Sequence, residues 1–314
     1  MNRPGAIITA VVAVAAAVAV PLSQGRAAQE TASRPAASGI ASPSPPPPAA
    51  AAPPLTSPAV SVGIMVEACG YSHSSNADPI LMPGMAGMSM LHDFFGNTTT
   101  SASSTAAGLR GGPTTCANRG DGSAYWTPAL YDDGAIVTPV RASLYWIAPR
   151  TSNVVTTPEG LQLIAGSEHA TAPQGEAVVS WSCVVSGDPV TVSHGAMPVP
   201  CAQGLEKVAI TFPNCWDGHT LSGASQTNAV YAVAGRCPAG FPVMIPQLVV
   251  HVLYHVSDTN ITLSTAPGQT ASAATAHADF INGWNQATLA QIVAGCISAH
   301  QHCNAQGRLT PRTG

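Results

Sequence analysis

The sequence has 314 residues, of which only 8% are charged, whereas 29 are glycine and 28 are proline. This composition is typical of a loop-rich β protein rather than a helical one. Beyond residue 61 the chain carries 8 basic and 14 acidic side chains, a net charge of −6, without a cluster of lysine or arginine. Because phosphate binding needs a basic surface, this charge pattern argues against nucleic acid as a partner.

The N-terminus has the pattern of a secretory signal peptide over residues 1–28. Arg3 precedes an apolar run from Ala6 to Val20, and Gly25-Arg26-Ala27 resembles a cleavage site. Retention as a membrane anchor is the alternative, but the run ends before Pro21, short of the ~20 residues that span a bilayer. We therefore expect a secreted, extracellular protein, free or associated with the cell envelope, with no membrane span after signal removal.

The rest of the chain divides by composition into three parts. Residues 29–61 consist largely of Ala, Ser and Pro and are predicted to form a disordered linker. Residues 62–305 have the length and composition of a single globular domain, and residues 306–314 are predicted to be a flexible tail.

The eight cysteines all lie in the predicted domain. An even number in an exported chain predicts four disulfides, whereas the absence of a Cys-x-x-Cys motif argues against a metal site. Sequence alone does not fix the pairing, and we expect neighbours to pair: Cys69 with Cys116, Cys183 with Cys201, Cys215 with Cys237, and Cys296 with Cys303.

Apolar residues alternate with polar ones in short runs separated by Gly, Pro, Asn and Asp. These runs predict strands near residues 61–67, 136–147, 161–165, 177–185, 190–193, 208–212, 229–233, 243–256 and 260–264. One helix is predicted near the C-terminus, with Asn285 as its N-cap and an apolar face formed by Leu289, Ile292, Val293, Cys296 and Ile297. The expected fold is a mainly β, disulfide-tied β-sandwich or jelly-roll-like domain with one C-terminal helix.

Five sequence blocks identify a family resemblance. They are LHDFFGN at 91–97, GDGSAYWTPALY at 120–131, FPNCWDG at 212–218, CPAGFPVMIPQL at 237–248 and HADFINGW at 277–284. Together they resemble a family of secreted fungal and actinobacterial proteins catalogued as domain of unknown function nineteen ninety-six. The resemblance implies secretion and a disulfide-tied domain, but no activity. The chain diverges from the family pattern at Met90, where a histidine is usual, and after the CWDG block, where several acidic residues and histidines are missing.

Five side chains in these blocks are candidates for catalysis: His92, Asp93, Asp217, His277 and Asp279. His92 and Asp93 could be an acid–base pair or metal ligands, or His92 could bond the backbone of a turn. Asp217 could act in catalysis or cap the Trp-Asp-Gly turn. His277 and Asp279 would share one face of a strand, where they could join His92 and Asp217 in a pocket or stabilise a loop.

Aromatic residues beside carboxylates suggest a carbohydrate-binding surface, because sugar CH groups stack on aromatic faces. The candidates are Tyr125, Trp126, Trp216 and Trp284; packing in the core is the alternative. A glycosidase pair of carboxylates among Asp93, Asp121, Asp217 and Asp279 is also compatible with the sequence.

Two further patterns point to metals only weakly. His251 and His255 lie four residues apart, too far on a strand to share an ion, so we interpret them as exposed strand residues. Met82, Met85, Met88 and Met90 form a sulfur-rich run that could bind Cu(I) or pack in a loop. No metal site and no cofactor are therefore assigned.

The sequence supports three functional hypotheses. The first is a secreted domain that binds a polysaccharide or cell-envelope ligand, above all a carbohydrate of the cell envelope or of the environment. The second is a polysaccharide hydrolase, inactive in this member if its chemistry depends on the missing residues. The third is a structural protein of the envelope.

Overall fold

The chain folds mainly into β-strands, as its composition and alternation predict. The computed structural model describes residues 62–148, 153–184, 191–199, 201, 204–257 and 260–310. These residues lie in one unit that spans residues 56–314. The predicted signal peptide and linker lie outside the described residues. Within the described ranges, no helix has the length and apolarity to cross a bilayer.

The first ten strands are β1 (Gly63–Cys69), β2 (Tyr71–Ser75), β3 (His92–Gly96), β4 (Ala124–Pro128), β5 (Leu130–Asp132), β6 (Ala135–Val137), β7 (Arg141–Ala148), β8 (Gln162–Gly166), β9 (Val179–Val184) and β10 (Thr191–Gly195). The others are β11 (Leu205–Thr211), β12 (Cys215–Trp216), β13 (Ala229–Val230), β14 (Val243–Met244), β15 (Gln247–Tyr254), β16 (Ile261–Ala266), β17 (Gln269–Ser272), β18 (His277–Ile281) and β19 (His302–Asn304).

These strands form two large sheets and two small ones. A seven-stranded sheet has the order β10-β9-β11-β15-β7-β1-β19, and a five-stranded sheet has the order β2-β3-β4-β18-β8. The small sheets have the orders β17-β16-β5-β6 and β13-β12-β14. Within the described ranges the only parallel pair of strands is β1 with β19. The antiparallel arrangement agrees with the short connections that the sequence predicts.

The two large sheets pack face to face through aromatic side chains. Phe280 of the five-stranded sheet contacts Trp146 of the seven-stranded sheet edge to face, with ring centroids 5.6 Å apart. Phe280 also stacks on Tyr125 at 5.1 Å and meets Phe212 at 6.4 Å. All four side chains are buried, so the interior between these sheets is the main hydrophobic core.

The C-terminal helix has the predicted cap and the predicted buried face. Helix α1 is a single turn at Ala106–Leu109, and α2 (Gln286–Ile292) continues into a π-helical turn, Val293–Ile297. The Asn285 side chain accepts a hydrogen bond from the backbone N–H of Thr288 at 3.0 Å. The five apolar residues of the predicted face are all buried: Leu289, Ile292, Val293, Cys296 and Ile297.

All four disulfides connect the neighbouring cysteines, which confirms the expected pairing. They are Cys69–Cys116, Cys183–Cys201, Cys215–Cys237 and Cys296–Cys303. Each bridge of this kind typically stabilises a fold by about 2–4 kcal/mol. Part of the predicted flexible tail also bonds back to β19, since the N–H of Thr310 donates to the carbonyl of His302 at 2.8 Å.

The backbone segments that contain Gly122 and Gly283 approach each other closely. A Cβ atom on Gly283 would lie 2.6 Å from the carbonyl oxygen of Gly122, and this oxygen belongs to the backbone and cannot rotate away. Glycine is therefore required at position 283 for steric reasons.

We expect Gly283→Ala to lower the free energy of unfolding by about 1–3 kcal/mol, because the added methyl group forces the two segments apart. Gly175→Ala is the matched control, since a Cβ atom there meets nothing within 4 Å. Urea unfolding of the two variants measures the difference, and equal midpoints would contradict the close approach.

Candidate functional site

Three adjacent strands bring the candidate residues of two sequence blocks together. Strand β4 lies between β3 and β18, with Phe94 and Asp279 both opposite Trp126. Paired residues of neighbouring strands point to the same face, and residues two apart on a strand also share a face. His92, His277 and Asp279 therefore lie on the outer face of the five-stranded sheet, away from the main core.

This outer face is covered rather than open to solvent. A second hydrophobic cluster packs on it, in which Phe94 and Trp126 of the sheet contact Ile80 and Leu109 of the covering segments. His92 and Asp279 are 0% and 1% exposed, and His277 is 3% exposed. Any polar group on this face must consequently find its partner inside the protein.

Both imidazoles make the same kind of hydrogen bond. Nδ1 of His92 lies 3.0 Å from the carbonyl oxygen of Ala77, and Nδ1 of His277 lies 2.9 Å from that of Thr275. A carbonyl oxygen only accepts, so Nδ1 carries the hydrogen in each ring and Nε2 keeps its lone pair. This arrangement, with Nδ1–H donating to a backbone carbonyl, is the one that usually orients metal-binding histidines.

The carboxylate of Asp279 adds a third ligand group. Neither of its oxygens has a hydrogen-bond partner among the described residues, and the same is true of Nε2 of His92. Oδ2 of Asp279 is 3.9 Å from Nε2 of His277, and the two imidazole rings meet edge to face at 5.8 Å. One ligand atom from each of the three residues lies within 4.8 Å of the others. Three potential ligand groups thus converge, and two of them, His92 and Asp279, have atoms that make no hydrogen bond among the described residues.

Burial determines the protonation of this cluster. It lowers the pKa of His92 to about 4, although the Ala77 carbonyl opposes the shift. Burial and the neighbouring His92 lower the pKa of His277 to about 4. Burial raises the pKa of Asp279 well above its usual range, and the negative charges of Asp78 and Glu168 add to the effect. At neutral pH both imidazoles are therefore neutral, the form that binds metal ions.

A pocket of about 160 Å³ adjoins the cluster. It is lined by Asp78, Leu81, Met82, Met88, Ser89, Met90, Glu168, His169, Thr265, Ala266 and Pro267. Ser89 joins the two regions, because its hydroxyl lies 3.3 Å from Nδ1 of His92. Asp78, Glu168 and His169 were not predicted from the sequence. They come from loops without a motif, so only the folded chain reveals their proximity.

His92 and Asp93 do not form an acid–base pair, because consecutive residues of a strand point to opposite faces. Asp93 points to the inner face beside Thr127, its cross-strand neighbour in β4. Its carboxylate accepts a hydrogen bond from Ser74 at 2.6 Å. Burial raises its pKa to about 7, although the Ser74 hydrogen bond opposes the shift.

Asp217 has the capping role that was the alternative to catalysis. Its Oδ1 accepts from the backbone N–H groups of His219 and Thr220 at 2.9 and 2.8 Å, and Gly218 adopts a φ of +88°. Burial alone would raise its pKa, but the hydrogen bonds within the turn outweigh burial and lower it. Asp217 therefore belongs to the β12–β13–β14 region and not to the His92–His277–Asp279 cluster.

Three of the four aromatic candidates for sugar stacking lie in the core. Tyr125 is 1% exposed, and Trp126 and Trp284 are 0% exposed, so none presents a ring face to solvent. Trp216 is partly exposed, and its Nε1–H donates to the carbonyl of Thr220 at 2.7 Å. The expected platform is thus reduced to Trp216, since the other rings are needed to fill the interior.

The two histidines of the β15 segment and the four methionines also differ in their exposure. His251 is half-buried against Tyr145, with ring centroids 4.5 Å apart, and so the expectation of an exposed residue was wrong there. His255 follows the end of β15 and is exposed. Of the four methionines, Met85 is exposed and does not line the pocket, whereas the other three do.

A family model described as "Domain of unknown function (DUF1996)" matches residues 78–284. The chain belongs to this family. The matched range contains Asp78, His92, Glu168, His277 and Asp279, and hence the whole cluster and the acidic residues of the pocket. No protein with a curated description and no solved structure is detectably similar to the chain.

Asp121 is buried three residues before strand β4, and its carboxyl group makes the stability of the fold depend on pH. Its carboxylate accepts from the backbone N–H of Ser123 at 3.0 Å and from the hydroxyl of Tyr125 at 2.9 Å. Burial raises its pKa from 3.8 to about 7, although the hydrogen bond from the Ser123 side chain opposes the shift. Since the folded state holds this proton more tightly, stability from this group is present at low pH and lost as pH rises towards 7.

We expect Asp121→Asn to remove this part of the pH dependence. Relative to the wild type, the variant should gain about 2 kcal/mol in free energy of unfolding between pH 5 and pH 7. Denaturant titrations at both pH values measure the change, with Asp133→Asn as the control because Asp133 is exposed. A constant difference between Asp121→Asn and the wild type would contradict the raised pKa.

Proposed function

We propose that this protein is an extracellular domain that binds a transition-metal ion through His92, His277 and Asp279. The observation that carries the proposal is the convergence of these three buried side chains, with Nδ1–H of both imidazoles held by backbone carbonyls. The extracellular location is supported by the signal-peptide pattern and by the four disulfides, which form and persist in oxidising compartments.

Three buried polar atoms of this cluster have no hydrogen-bond partner among the described residues. A buried acceptor without a partner costs about 1–3 kcal/mol, and Nε2 of His92 and both oxygens of Asp279 have none among the described residues. A cation satisfies all of them at once. Burial raises the pKa of Asp279 well above its usual range, so a bound cation competes with a proton for this carboxyl group.

Two imidazoles and one carboxylate are ligands that suit zinc and neighbouring first-row metals. Such an ion lies about 2.0–2.2 Å from its ligands, so the ligand atoms must approach closer than their present separation of up to 4.8 Å. Nearby Asp78 and Glu168 add negative charge that favours a cation.

We expect the purified protein to bind one equivalent of Zn²⁺ or Co²⁺, and His277→Gln and Asp279→Asn each to weaken binding at least tenfold. Isothermal titration after treatment with a chelator measures the affinity. His219→Gln is the control, because that imidazole is 77% exposed and belongs to the Asp217 turn. Absence of stoichiometric binding by the wild type, or equal affinity in all variants, would overturn the proposal.

A second candidate function is carbohydrate binding at the Trp216 turn. Trp216 is the one aromatic residue of the expected platform that is partly exposed, and the Asp217 carboxylate lies beside it in the chain. A ring face next to a carboxylate suits a sugar, whose CH groups stack while its hydroxyls donate. We propose binding rather than hydrolysis, because His92, His277 and Asp279 lie buried on another sheet.

We expect Trp216→Ala to reduce binding to envelope polysaccharides at least fivefold in a pull-down assay. Val233→Ala is the control, since it truncates a side chain that is 71% exposed in another loop. Binding that is unaffected by Trp216→Ala would end this candidate. New reducing ends in the incubated polysaccharide would instead favour the hydrolase hypothesis.

A further inference from the structure

Three methionines line the pocket that adjoins the buried histidines, and we infer that their thioethers make it a site for monovalent copper. The inference goes beyond the proposed function, because it assigns a second ion to a separate pocket beside the His92–His277–Asp279 site. Met82, Met88 and Met90 all line the pocket of about 160 Å³. Met85 belongs to the same loop but does not line it.

The three thioethers extend from the surface towards the interior. Met88 is 62% exposed, Met82 is partly exposed, and Met90 is 6% exposed. Met90 lies two residues before His92, and Ser89 between Met88 and Met90 contacts Nδ1 of His92 at 3.3 Å. The methionines of the pocket therefore range from the exposed Met88 to the buried Met90, which lies two residues before His92 in the chain.

Packing alone does not account for these side chains. Methionine in a hydrophobic core fills irregular gaps, which requires burial. Most of the surface of Met88 is exposed to solvent, and Met82 is partly exposed. Both nevertheless border a pocket that also contains Asp78 and Glu168, so apolar and acidic groups share one concave surface.

The chemistry of the ligands selects the metal. Neutral thioethers are soft ligands that prefer Cu(I), whereas Zn²⁺ favours imidazole, thiolate and carboxylate. The acidic side chains Asp78 and Glu168 attract cations to the pocket without offering a soft ligand.

The experiment compares the Met82→Leu/Met88→Leu/Met90→Leu triple variant with the Met85→Leu variant of the full chain. Leucine conserves volume and removes sulfur, and such exchanges usually cost little stability. Competition with a chromophoric Cu(I) chelator under anaerobic, reducing conditions measures Cu(I) affinity. Calorimetric titration with Zn²⁺ tests each variant for an intact His92–His277–Asp279 site.

We expect the triple variant to lose at least tenfold in Cu(I) affinity and to keep its Zn²⁺ affinity, while Met85→Leu changes neither. Unchanged Cu(I) affinity in the triple variant would overturn the copper inference. Zn²⁺ binding would then still support the proposed function. Conversely, if the wild type binds Cu(I) through the thioethers but no Zn²⁺, the three-residue metal site fails while the methionine site stands.

Discussion

Burial of the three central strands of the five-stranded sheet, β3, β4 and β18, on both faces is the constraint on which the candidate site depends. The inner face packs on the seven-stranded sheet, and the outer face lies beneath a second hydrophobic cluster. All residues of β3, β4 and β18 are consequently buried, including His92, His277 and Asp279. Polar groups on such strands cannot be hydrated, and each must have an internal partner or a ligand.

The same constraint explains which strands the sequence predicted. Strands β11, β15 and β16 were expected near their observed positions. Parts of each strand alternate along the chain between buried residues on one face and accessible residues on the other. Strands β3, β4 and β18, with the sequences HDFFG, AYWTP and HADFI, were missed as strands. Burial on both faces removes the alternation, so only the family resemblance marked these segments.

Only the local part of the site, the shared face of His277 and Asp279, could be predicted from the sequence. His277 and Asp279 share a face by simple strand geometry, and their approach to His92 was among the alternatives that the sequence left open. The approach itself depends on β4 lying between β3 and β18, a long-range pairing without a local signal. Asp217 has the capping role that the sequence also left open, because its carboxylate accepts from two backbone N–H groups of the turn after β12.

Crystallography with anomalous scattering tests the metal site most directly. Crystals of the zinc-treated protein, measured above and below the zinc absorption edge, should show one anomalous peak about 2.0–2.2 Å from nitrogen atoms of His92 and His277 and a carboxylate oxygen of Asp279. Such a peak would account for the convergence of buried acceptors. A well-ordered cluster with a hydrogen-bonded water in this position, and no anomalous signal, would contradict it.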